Sequence, residues 1–459
     1  MNDLTQGPVS RQVLAMAAPI AIGMVFQTLY FLIDLYFVGR LGDDAIAGVG
    51  AAGNVAFVVL ALTQVLAVGT VALVSQAVGR RDLADANLVF NQSLALAAIL
   101  GVSTLVVGYA LTPAYMRQMA ADPGTAAAGT TYLAWYLPGL ALQFAIVGMT
   151  SALRGTGIVK PTMLVQVVTI ILNAVLAPVL IGGWGTGRPL GVAGAGLAST
   201  VSLAVGVVML TYYFHRLEHT VAVDRKLVPI RSAQVRRILR IGLPAGAEFL
   251  LMFIFLGVIY TVIARFGSEA QAGFGIGFRL MQAMFLPVMA IAFAVAPVAG
   301  QNFGAGQHDR VRETFRFAVI FGSALMLAMS IVAHVAPARL VAVFTAEPRV
   351  IEVGVEYLTY MSWNFVATGL IFTCSGLFQA LGNTVPALLS SGTRLVTFAL
   401  PVLLLASLPA FQLRHAWWLS IATTTLQALL SLWLLRREFG LKLRPRGAQP
   451  PTMLNTVTK

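Results

Sequence analysis

Asp34 is the residue of this chain whose type and place most need a chemical reason. It is the single acid in the apolar stretch TLYFLIDLYFVG, residues 28–39. An ionised Asp at the centre of a membrane helix costs roughly 2.5–3.5 kcal/mol, and such an acid marks a functional site by default. A sealed carboxyl can take up and release a proton, because desolvation favours its neutral form, or it can help ligate a hard cation. Gln27, Tyr30 and Asp34 are spaced by three and four residues, so they share one helix face. Gln166, Thr169 and Asn173 repeat that spacing further along. Amides and hydroxyls in such stripes also serve as hydrogen-bonding glue between helices, but glue does not need a charge. Asp34 is therefore the expected ion-coupling residue, and Gln27, Tyr30, Gln166, Thr169 and Glu248 are the expected lining of a substrate cavity. A sodium ion wants several oxygen ligands, which Asp34, Asn173, Thr200 and backbone carbonyls supply. A proton needs only the acid. The proton is weakly favoured and sodium stays open; no other metal and no cofactor are expected.

These residues sit in a chain of 459 residues, 58% hydrophobic and 10% charged. A soluble domain carries about 25% charged residues, so the chain reads as an integral membrane protein. Its long apolar runs predict twelve helices of ~20 residues or more, over 13–38, 46–74, 87–111, 128–153, 161–182, 191–213, 239–264, 271–297, 313–336, 353–378, 385–407 and 415–436. The start lacks a short apolar core followed by a small-residue cleavage site, so the first span is expected to be retained. The net charge of +13 would suggest nucleic acid in a soluble protein; here its placement matters more, and no nucleic-acid partner is expected. Arg80, Arg81, Arg154, Lys160, Arg310, Arg312, Arg316 and the run from Arg216 to Arg240 gather on the side of the N-terminus. Both termini are therefore expected in the cytoplasm, with the chain multi-pass in the cell membrane, the inner membrane of a bacterium.

The two halves repeat. A gap-free shift of 225 residues lays Pro19 on Pro244, Gly42 on Gly267, Gln76 on Gln301, Gly79 on Gly304, Gly157 on Gly382 and Pro161 on Pro386. Composition alone does not put helix-breaking residues in register across six spans. Six is an even number, so both halves enter the bilayer in the same sense, a parallel repeat about an axis along the membrane normal. The expected organisation is an N-terminal lobe over 1–214, an inter-lobe linker over 215–237, a C-terminal lobe over 238–439 and a basic tail over 440–459. Pro19 and Pro244 then suggest a bend in the leading helix of each lobe.

On MAAPIAIGMVFQTLYFLIDLYFVGRLG, SQAVGRRD, SALRGTGIVKPT, GLPAGAEFLL, FGIGFRLMQAMFLPVMAIAFAVAPVAGQNFGAGQ and FQALGNTVPA, the chain resembles the multidrug and toxic compound extrusion (MATE) family over residues 11–436. The resemblance implies two six-helix lobes around a V-shaped cavity. It also implies antiport, in which inward movement of H⁺ or Na⁺ drives organic, often cationic or amphipathic, compounds out of the cell. In one branch the coupling residues are an Asp fifteen residues after the helix-one Pro and an Asn-x-x-x-Asp pair in helix five. Pro19, Asp34 and Asn173 match, so the resemblance implies Asp34 and Asn173 as ion-coupling residues, with Thr200 a further polar contributor; Ala177 stands where the second Asp belongs, which puts that branch's cation site in doubt. Another branch carries a Glu in helix seven. Glu248 lies about one turn earlier than that pattern, near the basic end of its span, with a short route to water, and the role is not carried over.

The remaining candidates read more plainly. Met16, Met24, Met281, Met284 and Met289 either line an adaptable cavity or pack. Arg279 is expected to snorkel, and Arg394 stays open. Cys374, the one cysteine, is expected to be a buried, inert thiol, and His334 a packed residue. The chain lacks an HExxH zinc pair, and no enzyme is expected. The partners expected are the bilayer and a small organic substrate, with the chain a monomer. A MATE-like flippase of lipid-linked precursors is the alternative; it would want several intramembrane basic residues, and here only Arg394 lies deep.

Overall fold

The computed structural model describes residues 3–185, 187–218 and 220–443. The side chains of residues 30–35, and hence those of Tyr30 and Asp34, lie outside the described residues, as does most of the tail expected over 440–459. The described chain is all α-helical, with α1 Val9–Gly39, α2 Asp43–Gly79, α3 Leu83–Met119, α4 Pro123–Gly155, α5 Lys160–Gly182 and α6 Gly191–Arg216 in the first half. The second half holds α7 Ser232–Ile263, α8 Ser268–Gly304, α9 His308–Val335, the short α10 Pro337–Ala342, α11 Pro348–Met361, α12 Phe365–Ala380, α13 Val385–Leu405 and α14 Leu413–Lys442. Among the described residues, twelve stretches are long and apolar enough to cross a membrane.

The repeat holds at single-residue register. The bounds of α2 and α3 start 225 residues before those of α8 and α9, and α4 starts and ends 225 residues before the α11–α12 pair. Helix ends repeat too. α2, α4, α8 and α12 each end in the same double cap, with Asp82 N–H reaching Ala77 O, Ile158 reaching Leu153, Gln307 reaching Asn302 and Asn383 reaching Phe378. The left-handed residue of that cap is Gly157, Gly306 or Gly382, but Arg81 at the fourth site, with φ +61. A side chain there costs about 1–2 kcal/mol, and the extra freedom of an unfolded glycine returns about 0.4–1. Arg81→Gly is therefore expected to stabilise the N-terminal lobe by about 0.5–1 kcal/mol, read as a small rise in apparent melting temperature.

Each lobe's leading helix begins against the other lobe. α1 packs on α8 and α9 as well as on α5, and α7 packs on α2 and α3 as well as on α13. Val9, Val13 and Met16 lie in a core with Val295, Val298 and Phe378; Ile238, Ile241 and Ala245 lie in one with Leu66, Phe90 and Phe144. Matched polar contacts fasten these crossings: Arg310 donates to Gln12 at 3.2 Å, and Arg237, the repeat mate of Gln12, pairs with Asp85 at 3.0 Å. Pro19 and Pro244 fall inside continuous helices.

Most helices run a few residues beyond the expected spans, and three differences bear on how the lobes are built. The tenth span is split by a 3-10 turn at Ser362–Asn364. The linker is shorter than 215–237, because α6 runs to Arg216 and α7 starts at Ser232. It is also held rather than loose. The side chains of Asn87, Asn91 and Gln92 on α3 exchange hydrogen bonds with the backbone of Ala222, Asp224, Leu227, Pro229 and Arg231. The C-terminal lobe likewise runs past 439, since α14 continues to Lys442.

Candidate functional site

The two polar stripes predicted on α1 and α5 meet. Gln166 Nε2 donates to Gln27 Oε1 at 2.8 Å, and Gly23 clears room for the Gln166 amide. Both helices start at the basic end, so this bond sets their register. Residues 34 and 173 each lie seven positions further on, at one level about 10 Å beyond the glutamines. Tyr30 and Asp34 themselves lie outside the described side chains. Asn173 is 1% exposed and donates to Ser199 Oγ at 3.2 Å, while its Oδ1 is sealed without a donor among the described residues. A buried acceptor left unpaired costs about 1–3 kcal/mol, so this oxygen is suited to a cation or a protonated acid. Ala177, in the place of the family's second acid, is buried against apolar neighbours. Thr169 Oγ1 turns back to Gln166 O of its own helix at 2.9 Å.

Thr200 has different work. Pro138 interrupts α4, and its ring leaves the carbonyl four residues back without an intrahelical donor. That carbonyl, Ala134 O, accepts from Tyr109 Oη at 2.8 Å. Thr200 Oγ1 inserts at the next rung, accepting from Gly139 N at 3.1 Å and donating to Trp135 O at 2.6 Å. The repeat breaks at the same level, because Trp363 stands where Pro138 would map, inside the turn at Ser362–Asn364. There Ser330 Oγ donates to Ser362 O at 2.9 Å and His334 Nδ1 lies 2.8 Å from Ser362 Oγ, which gives His334 a structural partner. Thr200→Val is expected to destabilise the protein by about 1–3 kcal/mol, from the two backbone groups it leaves in an apolar medium. Ion-driven efflux per folded molecule should be unchanged, with Thr200→Ser near wild type in both measurements.

In the C-terminal lobe Glu248 is half-buried on α7. It accepts from Ser375 on α12 at 3.3 Å and from Ser391 on α13 at 3.2 Å, and Gln427 on α14 donates to Ser391 at 3.0 Å. The carboxylate is thus held by hydroxyls, with no cation paired to it among the described residues. A cavity of about 40 Å³ lined by Met289, Phe293, Phe372 and Ser375 adjoins it. Met289 thus lines a void, whereas Met16 is packed core. Two turns outward from Glu248, Arg394 of α13 stacks its guanidinium 4.2 Å from the Phe255 ring. A cation–π contact contributes about 0.5–2 kcal/mol, less than the ~2.5–3.5 kcal/mol cost of an Arg at mid-membrane. Sequence reasoning placed Glu248 alone; Ser375, Ser391 and Gln427 were missed because polar residues on three other helices carry no spacing signal.

At the basic end the two lobes close on each other through a repeat-matched clasp. Gln76 Nε2 donates to Ala380 O at 2.8 Å across the seam, and Gln301 Nε2 donates to Gly155 O at 3.0 Å. A Cβ on Gly79 would overlap the Gln301 carbonyl, and one on Gly304 would overlap that of Gln76. Leu4 adds a further tie, its N–H on Gln301 Oε1 and its carbonyl accepting from Asn302, both at 3.0 Å.

Twelve spans in two repeated lobes, crossed at their leading helices and clasped at one end, define a class of membrane carrier. The MatE family model matches residues 19–179 and 244–405, one copy per lobe at the same shift of 225. The chain belongs to this MATE family. It is similar to the probable multidrug resistance protein YpnP of Bacillus subtilis, 27% identical over 387 residues, covering 83% of this chain and 84% of the relative. It is also similar to the multidrug export protein MepA of Staphylococcus aureus, 24% identical over 439 residues, 94% and 95% of the two chains. A solved MATE structure in the bent conformation superposes with a TM-score of 0.89 at 25% identity, covering 96% of this chain and 97% of that one.

Proposed function

We propose that the protein is a secondary-active antiporter that exports organic compounds, cationic or amphipathic, in exchange for an inward-moving H⁺. The basic end faces the cytoplasm, following the excess of Arg and Lys there, and the clasped lobes then form a state closed to the cytoplasm. The observation that carries the reading is the Gln27–Gln166 bond, which brings positions 34 and 173 to one level. Asp34 is the coupling acid, and the unpaired Asn173 Oδ1 is the acceptor ready for its proton or for a sodium ion. Thr200, committed to α4, adds little to a sodium cage, which favours the proton. The names of the relatives in Bacillus and Staphylococcus support multidrug compounds as cargo. One net charge crossing 100 mV is worth about 2.3 kcal/mol, enough to hold a cargo without net charge at a gradient of roughly fiftyfold. One H⁺ exchanged for a monovalent cation moves no net charge and draws on the pH difference alone.

The test is uptake of a cationic dye into inside-out proteoliposomes under imposed gradients. A pH gradient at constant Na⁺ should drive it. If a Na⁺ gradient at constant pH drives it and a pH gradient does not, the ion is sodium. If neither does, the antiport reading is wrong.

A further inference from the structure

The C-terminal lobe holds two opposite charges that do not use each other. On α13, Ala387, Ser390, Phe398 and Val402 are buried while Leu389, Val396, Leu400 and Leu404 are exposed. Arg394 falls on the buried stripe, so it points into the lobe rather than to lipid. Its Nε is sealed without a hydrogen-bond partner, and no ion pair among the described residues includes it. One face of the guanidinium lies on Phe255, which itself packs on Phe398 at 4.7 Å. Glu248 lies on the same helix as Phe255 and bonds Ser391, one turn from Arg394 on α13. The two charges are thus offset by roughly 5–10 Å along the bundle.

From this juxtaposition we propose that Arg394 and Glu248 form a two-point site for an aromatic amphoteric compound, its carboxylate on Arg394 beside Phe255 and its cationic group at Glu248. A guanidinium offers a fork of donors that a carboxylate fills in a bidentate way, and one with unused donors in an apolar lobe is a place for such a group. Phe255, under the guanidinium, holds Arg394 in place for that contact. At the other point, Ser375 donates to the Glu248 carboxylate and also lines a cavity of about 40 Å³, so room for an alkylammonium-sized group lies one hydrogen bond away from that carboxylate. A structural role for Arg394 would call for an acid or carbonyl on its donors, and none is bonded to it among the described residues. The proposal rests on the export reading and adds to it that cargo carries an acidic group.

The test uses a rhodamine whose carboxylate is free and the methyl ester of the same dye, which keeps only the cation. Binding to the purified full-length protein is read by fluorescence anisotropy, and export by proteoliposome flux. The wild type should bind the free acid, and Arg394→Gln should weaken that binding about tenfold or more while changing the ester by less than about twofold. Arg394→Lys keeps the charge, should retain part of the preference, and carries the test if Arg394→Gln does not fold. Parallel loss of both dyes, an unchanged free acid, or no free-acid binding by the wild type overturns the proposal. If the ester is still exported in that case, the export reading stands without the site. If the free acid binds through Arg394 and no dye is moved by any gradient, the site stands and the export reading falls.

Discussion

Alanine at Gly79 or at Gly304 is expected to open the clasp between the lobes and to expose residues that are now sealed in it. In each case the added methyl meets a backbone carbonyl of the facing helix rather than the end of a flexible side chain. The helices α2 and α8 must then move apart, because two carbonyl groups fixed in helical ladders cannot rotate away. Overpacking of this kind costs about 1–3 kcal/mol, which is about tenfold or more in the balance between clasped and open forms. Moving apart also strains the two cross-seam amide bonds, since Gln76 and Gln301 stand on the same turns as the glycines. A thiol at Ser75, fully buried against Gly300, reports the change. Cys374 is buried in the C-terminal lobe and stays silent. Maleimide should label Ser75→Cys slowly in the parent and about tenfold faster with Gly79→Ala or Gly304→Ala. The double variant should fall short of the summed single effects, because both methyls press on one seam. Unchanged labelling would mean that the clasp is not what closes this end.

How much of this is legible in the sequence depends on whether a residue acts within its own helix or across to another. The repeat is legible because glycines and prolines mark helix ends, and the caps at Gly157, Gly306 and Gly382 place them where the shift predicts. The α1 and α5 stripes are legible as faces, and they do meet at Gln27 and Gln166. Gln76 and Gln301 appear in the sequence only as a matched pair. Nothing in their spacing tells that each reaches the fourth helix of the opposite lobe, because a helical pattern gives a face and not a partner. Thr200 shows the same limit: a hydroxyl in an apolar helix gives no sign of its partners until Pro138 of α4 is placed beside it. The split tenth span had a readable cue. Where the first half has Pro138, the second has Trp363 between Ser362 and Asn364, two residues that favour turns over helix interiors. The linker had one as well, in the amides Asn87, Asn91 and Gln92 gathered in the first turns of α3.

The two acids are expected to fail in different ways, and that difference locates the coupling. Asp34→Asn keeps size and hydrogen-bonding capacity but cannot carry a proton, so dye movement driven by a pH gradient should fall to the level of empty liposomes. Binding of a cationic dye to the purified variant should persist, because the proposed cargo residues on α1 and α5, Gln27 and Gln166, are untouched. Glu248→Gln retains an acceptor for Ser375 or Ser391 and removes the charge proposed to hold the cargo's cationic group. Driven flux should then survive at saturating dye, with the dye concentration for half-maximal flux raised about tenfold, a loss of binding rather than of coupling. The magnitude follows from removing one charge-assisted contact, worth about 1.5–3 kcal/mol, at 1.4 kcal/mol per decade. Reversed outcomes, with Glu248→Gln uncoupled and Asp34→Asn merely weaker in binding, would move the proton path to the C-terminal lobe. The clasp would then be coupled to α7 rather than α1, since each leading helix starts against the lobe that the other belongs to.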